Sequence, residues 1–150
     1  MQQNIVVNNR KRRQNRRFLL VLIWGMILGV HTWTDNLDAL LRLQSIGFKW
    51  VPHPNFLDFF NLNDITKIHH YFLIVKTGHF IGFALFDFLL FNWKRNHKWS
   101  LLISFLFALL TEILQLFFGR DGRLYDVVID TSGAFTVYYM IKTKKLKVNW

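Results

Sequence analysis

The stretch Leu101–Leu110, LLISFLFALL, offers no polar stripe along a helix. A helix without such a stripe has to be surrounded by protein or by lipid. It sits in the apolar block Trp99–Phe118, and three more blocks share its character: Phe18–Trp33, Tyr71–Trp93 and Leu124–Ile141. A bilayer core takes about 20 mainly apolar residues, with a range of roughly 17–25. The last three blocks have that length. The first is slightly short and recruits Arg17 by snorkelling and Thr34 at its far end. The expected fold is therefore all-α, a polytopic membrane bundle of four transmembrane helices over 18–34, 71–93, 99–118 and 124–141. These form one transmembrane domain, 18–141, between basic tails at 1–17 and 142–150.

Composition agrees only on that reading. Hydrophobic residues reach 52%, yet the formal net charge is +10, which makes sense if charge is confined to termini and loops. The apolar content excludes disorder. With no cysteine, disulfides, thiol nucleophiles and Cys-based zinc sites are excluded.

Orientation follows from where the basic residues fall. The N-terminal tail (Arg10–Arg17), the short loop Lys94–Lys98 and the C-terminal tail (Lys142–Lys147) hold thirteen, against five for Arg42, Lys49, Lys67, Arg120 and Arg123. The positive-inside rule places both termini in the cytoplasm. The first block ends in Gly29-Val30-His31-Thr32-Trp33 without a small-x-small cleavage site, so it reads as an uncleaved signal anchor. A basic tail next to a membrane helix meets anionic lipid, and membrane lipids rather than nucleic acid are the expected partners.

A long extracytoplasmic loop, Thr34–His70, joins the first two helices. Leu37, Leu40 and Leu41, with Asp35, Asp38 and Arg42 interleaved, predict a short amphipathic helix. Pro52 and Pro54 stop any continuation, and Phe56, Leu57, Phe59 and Phe60 form a second apolar cluster. This segment is expected to lie along the outer interface.

Ionisable residues inside the apolar blocks carry the functional information, because a charge near the bilayer centre costs roughly 2.5–3.5 kcal/mol on insertion scales. At 100° per residue, Lys76, His79, Phe83 and Asp87 share a face of the second helix. Ser104, Ala108, Glu112 and Gln115 share one on the third, and Asp126, Asp130, Gly133 and Val137 one on the fourth. Lys76, Glu112 and Asp130 all fall about 8–9 Å below the outer ends of their helices at 1.5 Å per residue. Gln115 and Asp126 lie higher, with Arg120 in the turn above. Lys76, His79, Glu112, Gln115, Arg120, Asp126 and Asp130 thus form one candidate polar site opening outward. Their carboxylates outnumber the lysine, so Arg120 folds down to pair, or a proton or bound cation neutralises the excess. Asp87, near the cytoplasmic end, is expected to snorkel inward or pair with Lys94. Gly133 reads as a packing contact between helices.

Each residue also has a structural reading. Lys76 with Glu112 or Asp126 is a register-fixing ion pair, His79 hydrogen-bonds a neighbouring helix, and Asp126 caps the fourth helix and accepts Arg120 or Arg123. His79 with Glu112 and Asp130 is a metal-ligand set by residue type, but no dense ligand motif such as HExxH is present, so no metal or cofactor is expected. Ser132 lacks the GxSxG setting of a nucleophile elbow.

Lys76-Thr77-Gly78-His79, Glu112-Ile113-Leu114-Gln115, and Arg120 followed by Asp126 and Gly133 resemble the VanZ-like membrane protein family. Its pattern is K-x-x-H, E-x-x-Q, then R, D, an amide and Gly. The match covers Tyr71–Ile141, about half the chain. Asp130 stands where the family usually has Asn, and Val137 where a second Gly is common. The resemblance implies a bacterial plasma-membrane protein connected, for the namesake, to glycopeptide (teicoplanin) resistance.

Three functions fit the residues. The first is a pocket that binds or modifies an anionic envelope component, such as a lipid-linked precursor, with Lys76, Arg120 and Arg123 holding phosphate. The second is a small transporter or proton relay, and the third a non-catalytic accessory protein. The first is the expectation. Whether the chain is an enzyme, and its oligomeric state, stay open.

Overall fold

Each apolar block becomes a helix, and each short polar interval becomes a tight reversal. The computed structural model describes residues 2–63 and 70–143. The loop residue Lys67 and the tail beyond Thr143, with Lys144, Lys145 and Lys147, lie outside the described residues. The elements are α1 (Gln2–Trp33), α2 (Leu37–Leu41), a 3-10 turn (Phe56–Phe60), α3 (His70–Lys94), α4 (His97–Phe117) and α5 (Leu124–Lys142). Among the described residues there is no strand.

Helix α1 begins well before the first apolar block, because the basic segment Arg10–Arg17 continues the helix rather than forming a separate tail. The short helix expected from Leu37, Leu40 and Leu41 is present as α2. Asn96 caps α4, its side chain accepting from the backbone N–H groups of Lys98 at 3.0 Å and Trp99 at 3.3 Å. At the other end of α4 the chain reverses through Gly119, whose φ of +66° suits a residue without Cβ.

Among the described residues three helical segments are long and apolar enough to cross a membrane: Val7–Trp33, Phe72–Lys94 and His97–Phe117. Helix α5 is not among them, although the fourth block was expected to span. Its sequence is diluted by Asp126, Asp130, Thr131, Ser132 and Thr136. The polar groups that lower its average are turned inward: Asp126 and Asp130 are buried, whereas Val128, Phe135 and Tyr139 are exposed.

Helices α3 and α5 make the most extensive contact in the molecule, with α4 packed on both and α1 against α3 and α4. Gly133 makes the α3–α5 seam close. A Cβ there would overlap the Phe80 carbonyl oxygen and crowd the Ala84 nitrogen, both main-chain atoms with no room to yield. Gly78, by contrast, has open space where a Cβ would go. Trp24 of α1 anchors on this pair by donating its indole N–H to the Gly82 carbonyl at 2.9 Å.

The loop after α1 folds back over the reversal between α4 and α5. Val51 N–H donates to the Phe117 carbonyl at 2.7 Å. Trp50 stacks on Phe117 at 5.4 Å, Trp33 on Phe118 at 5.7 Å, and Phe56 meets Phe117 edge-on at 5.8 Å. The result is an aromatic cap over one end of the bundle, a closer association with the helices than a segment lying flat along an interface.

Gly133→Ala should therefore destabilise the bundle by about 1–3 kcal/mol, the usual cost of overpacking. Gly78→Ala should leave stability unchanged or slightly raised, through better helix propensity. Thermal midpoints of the two variants in detergent check this.

Candidate functional site

Below the cap, α3, α4 and α5 bring their polar faces together. Lys76 Nζ lies 2.6 Å from Asp126 Oδ2. Three residues along α3, His79 Nδ1 lies 3.2 Å from Asp130 Oδ1 and 3.9 Å from Glu112 Oε1. Gln115 donates its amide N–H to Glu112 Oε1 at 2.9 Å. Lys76, His79, Glu112, Gln115, Asp126 and Asp130 thus make one linked group.

The cluster is carboxylate-rich and buried. Glu112 and Asp130 are 0% exposed and Asp126 is 2% exposed. The side chains of Lys76 and His79 retain 18% and 12%, so whatever access exists passes along α3. Lys76 Nζ also sits 5.0–5.1 Å from the centres of the Phe72 and Tyr125 rings, whose faces attract an ammonium.

Glu112 has a second task. Arg123 precedes α5 without a side-chain cap of its own, and its backbone N–H donates to Glu112 Oε2 at 3.0 Å. A carboxylate at a helix N-terminus meets the positive end of the helix dipole. The approach is tight: a Cβ on Gly122 would overlap the Glu112 carbonyl oxygen. Glu112 therefore ties the α4–α5 reversal to the cluster.

Arg120 does not fold down onto the carboxylates. Its Nη1 donates to the Thr34 carbonyl at 2.5 Å, fastening the cap to the α4–α5 turn. Arg123 does similar work, donating to the Asp58 carbonyl at 2.6 Å and pairing with Asp121 at 3.1 Å. Thr34, fully buried, is the cap residue that sequence reasoning passed over, since nothing local marks a carbonyl as an arginine acceptor.

Asp87 also departs from expectation. It is fully buried, and Ser104 Oγ donates to its Oδ1 at 3.1 Å. Ser104 shares the α4 face that the helical spacing identifies, so a pairing partner for Asp87 was already visible there. By helical register Phe83 and Ala108, both 0% exposed, fall between this inner pair and the main cluster on α3 and α4, and Ala134, also 0% exposed, lies one turn inward of Asp130 on α5.

A family profile described as VanZ/LLP1 matches residues 17–145. An "Uncharacterized membrane protein YwnJ" of Bacillus subtilis (strain 168) is 29% identical over 130 residues, covering 85% of this chain and 93% of the relative. No solved structure matches significantly.

The Lys76–Asp126 pair is the most directly testable contact. Removing one partner of a buried pair costs about 3–5 kcal/mol, here towards the lower figure because Lys76 keeps some exposure. Lys76→Met and Asp126→Leu should each lower stability and membrane abundance. The double variant should recover most of the loss, as measured by a double-mutant cycle of thermal midpoints.

Proposed function

The chain belongs to the VanZ/LLP1 family and is a multi-pass membrane protein, and on that footing we propose that its polar cluster binds or modifies an anionic cell-envelope component at the outer face of the bilayer. The observation that carries this reading is the meeting of Lys76, His79, Glu112, Asp126 and Asp130 from three helices within an apolar bundle. Such residues are costly in a membrane and normally face function, water or one another. Lys76 stands at the accessible edge. Arg120, bound to Thr34 through one nitrogen, keeps further N–H groups for a phosphate. A lipid-linked precursor would place its head group here, with its acyl chains in the surrounding lipid. A contribution to glycopeptide resistance is the phenotype that accompanies this proposal.

The proposed topology has α5 as a fourth crossing and both termini in the cytoplasm, within a transmembrane domain at 18–141. At 1.5 Å per residue α5 spans about 28 Å, close to a hydrocarbon core of about 30 Å. Its exposed Val128, Phe135 and Tyr139 suit lipid contact.

One specific observation favours a second reading, a polar core that only holds the bundle together. Glu112 already accepts from Gln115 and from the backbone of Arg123. The relay reading is weakened by the Phe83–Ala108–Ala134 layer, which separates the cluster from Asp87.

Reporter fusions after Lys98 and at the C-terminus should both report cytoplasm; an outer signal from either contradicts the topology. An inventory of lipids and cell-wall precursors in cells with and without the protein tests the function. Glu112→Gln and Arg120→Lys should reproduce the deletion's inventory with near-normal membrane abundance. Loss of abundance in both favours the structural core.

A further inference from the structure

Among the described residues, one ligand atom each from His79, Glu112 and Asp130 lie within 4.8 Å of one another. His79 Nδ1 lies 3.2 Å from Asp130 Oδ1 and 3.9 Å from Glu112 Oε1. A tetrahedral ion with bonds of about 2.0–2.2 Å holds neighbouring ligand atoms roughly 3.4 Å apart. The three side chains therefore stand near the spacing that one bound ion would impose. They come from three helices, so no short motif announces them.

Two further observations point to a cation. Asp130 is fully buried, its Oδ1 faces His79, and its Oδ2 has no hydrogen-bond partner among the described residues. Asp126 Oδ1 is orphaned in the same way beside it. A buried carboxylate oxygen without a donor is costly unless something positive meets it. The charges are also unbalanced. Lys76 is engaged by Asp126, Arg120 is turned to Thr34, and the two donors to Glu112 are an amide and a backbone N–H. Glu112 and Asp130 together with a neutral imidazole match the charge of a divalent ion.

We infer that His79, Glu112 and Asp130 bind one divalent transition-metal ion, with Asp126 beside it. Imidazole with carboxylates suits zinc or manganese, whereas magnesium and calcium prefer an all-oxygen set. This deepens the proposed reading of the site and rests on it only for what the ion would receive: a phosphate oxygen, with Lys76 alongside. It removes the difficulty that a cluster richer in carboxylates than in free cations would repel an anionic ligand.

The test uses the full chain purified in detergent, stripped with a chelator, incubated with Zn²⁺ alone and passed over a gel-filtration column. One zinc per chain is expected by elemental analysis, and X-ray absorption should report one histidine with oxygen ligands. His79→Ala and Asp130→Asn, the latter nearly unchanged in shape, should lower affinity at least tenfold while eluting as the wild type does. No retained zinc overturns the inference and leaves protonated carboxyls as the neutralising device. Retention undiminished in folded variants, or a ligand set with no histidine or several, overturns it too. Where a variant does not fold, the wild-type stoichiometry and ligand set decide alone. Binding of phosphate-bearing lipid in vesicles is measured separately. Zinc without lipid binding removes the functional reading, and lipid binding without zinc removes only the metal.

Discussion

A lysine ammonium 2.6 Å from an aspartate, inside a bundle whose outer surface is leucine, isoleucine and phenylalanine, fixes how the last three helices can pack. Neither charge can be left alone in that setting without a penalty of several kcal/mol. The pair therefore sets the register of α3 against α5. That register brings Gly133 onto the Phe80 carbonyl and His79 within reach of Asp130. With α3 and α5 locked, Glu112 closes the group from α4 and holds the start of α5. The polar cluster and the close helix contact are two consequences of one alignment.

The cap is the second half of the design. Two arginines that composition alone would send to the carboxylates instead hold loop carbonyls at Thr34 and Asp58. Four aromatic residues of the loop side, Trp33, Phe48, Trp50 and Phe56, pack on Phe117 and Phe118. Two guanidinium groups thus stand above the site, while within it three carboxyls face Lys76 and His79.

Periodicity exposed the helices and their inward faces, because 3.6-residue spacing needs only the local chain. Lys76 with His79, and Glu112 with Gln115, could be placed on common faces for that reason. Hydropathy averaging sets α5 apart from the other three long helices, since its average counts Asp126 and Asp130 although both are buried in the bundle. The helical extension of α1 through its arginines was not legible either, because charge repulsion says little about backbone continuity. The acceptors of Arg120 and Arg123 lie 86 and 65 residues away in sequence. Such partners are set by loop folding, and no spacing rule reaches them. His79, Glu112 and Asp130, by contrast, were brought to one level by face and depth on their separate helices, and only their mutual distances needed the fold.

On the proposed topology the polar cluster lies within the membrane and is reached from the outer side alone, past Lys76 and His79. The chain has no cysteine of its own, so single thiols can be read without background. His79→Cys in intact cells should react with a membrane-impermeant thiol reagent added outside. It should not react in inside-out vesicles exposed to the same reagent on their cytoplasmic face. Asp87→Cys, behind the Phe83 layer, should react from neither side. Labelling of position 79 from the cytoplasmic face, or of position 87 from outside, would contradict the account.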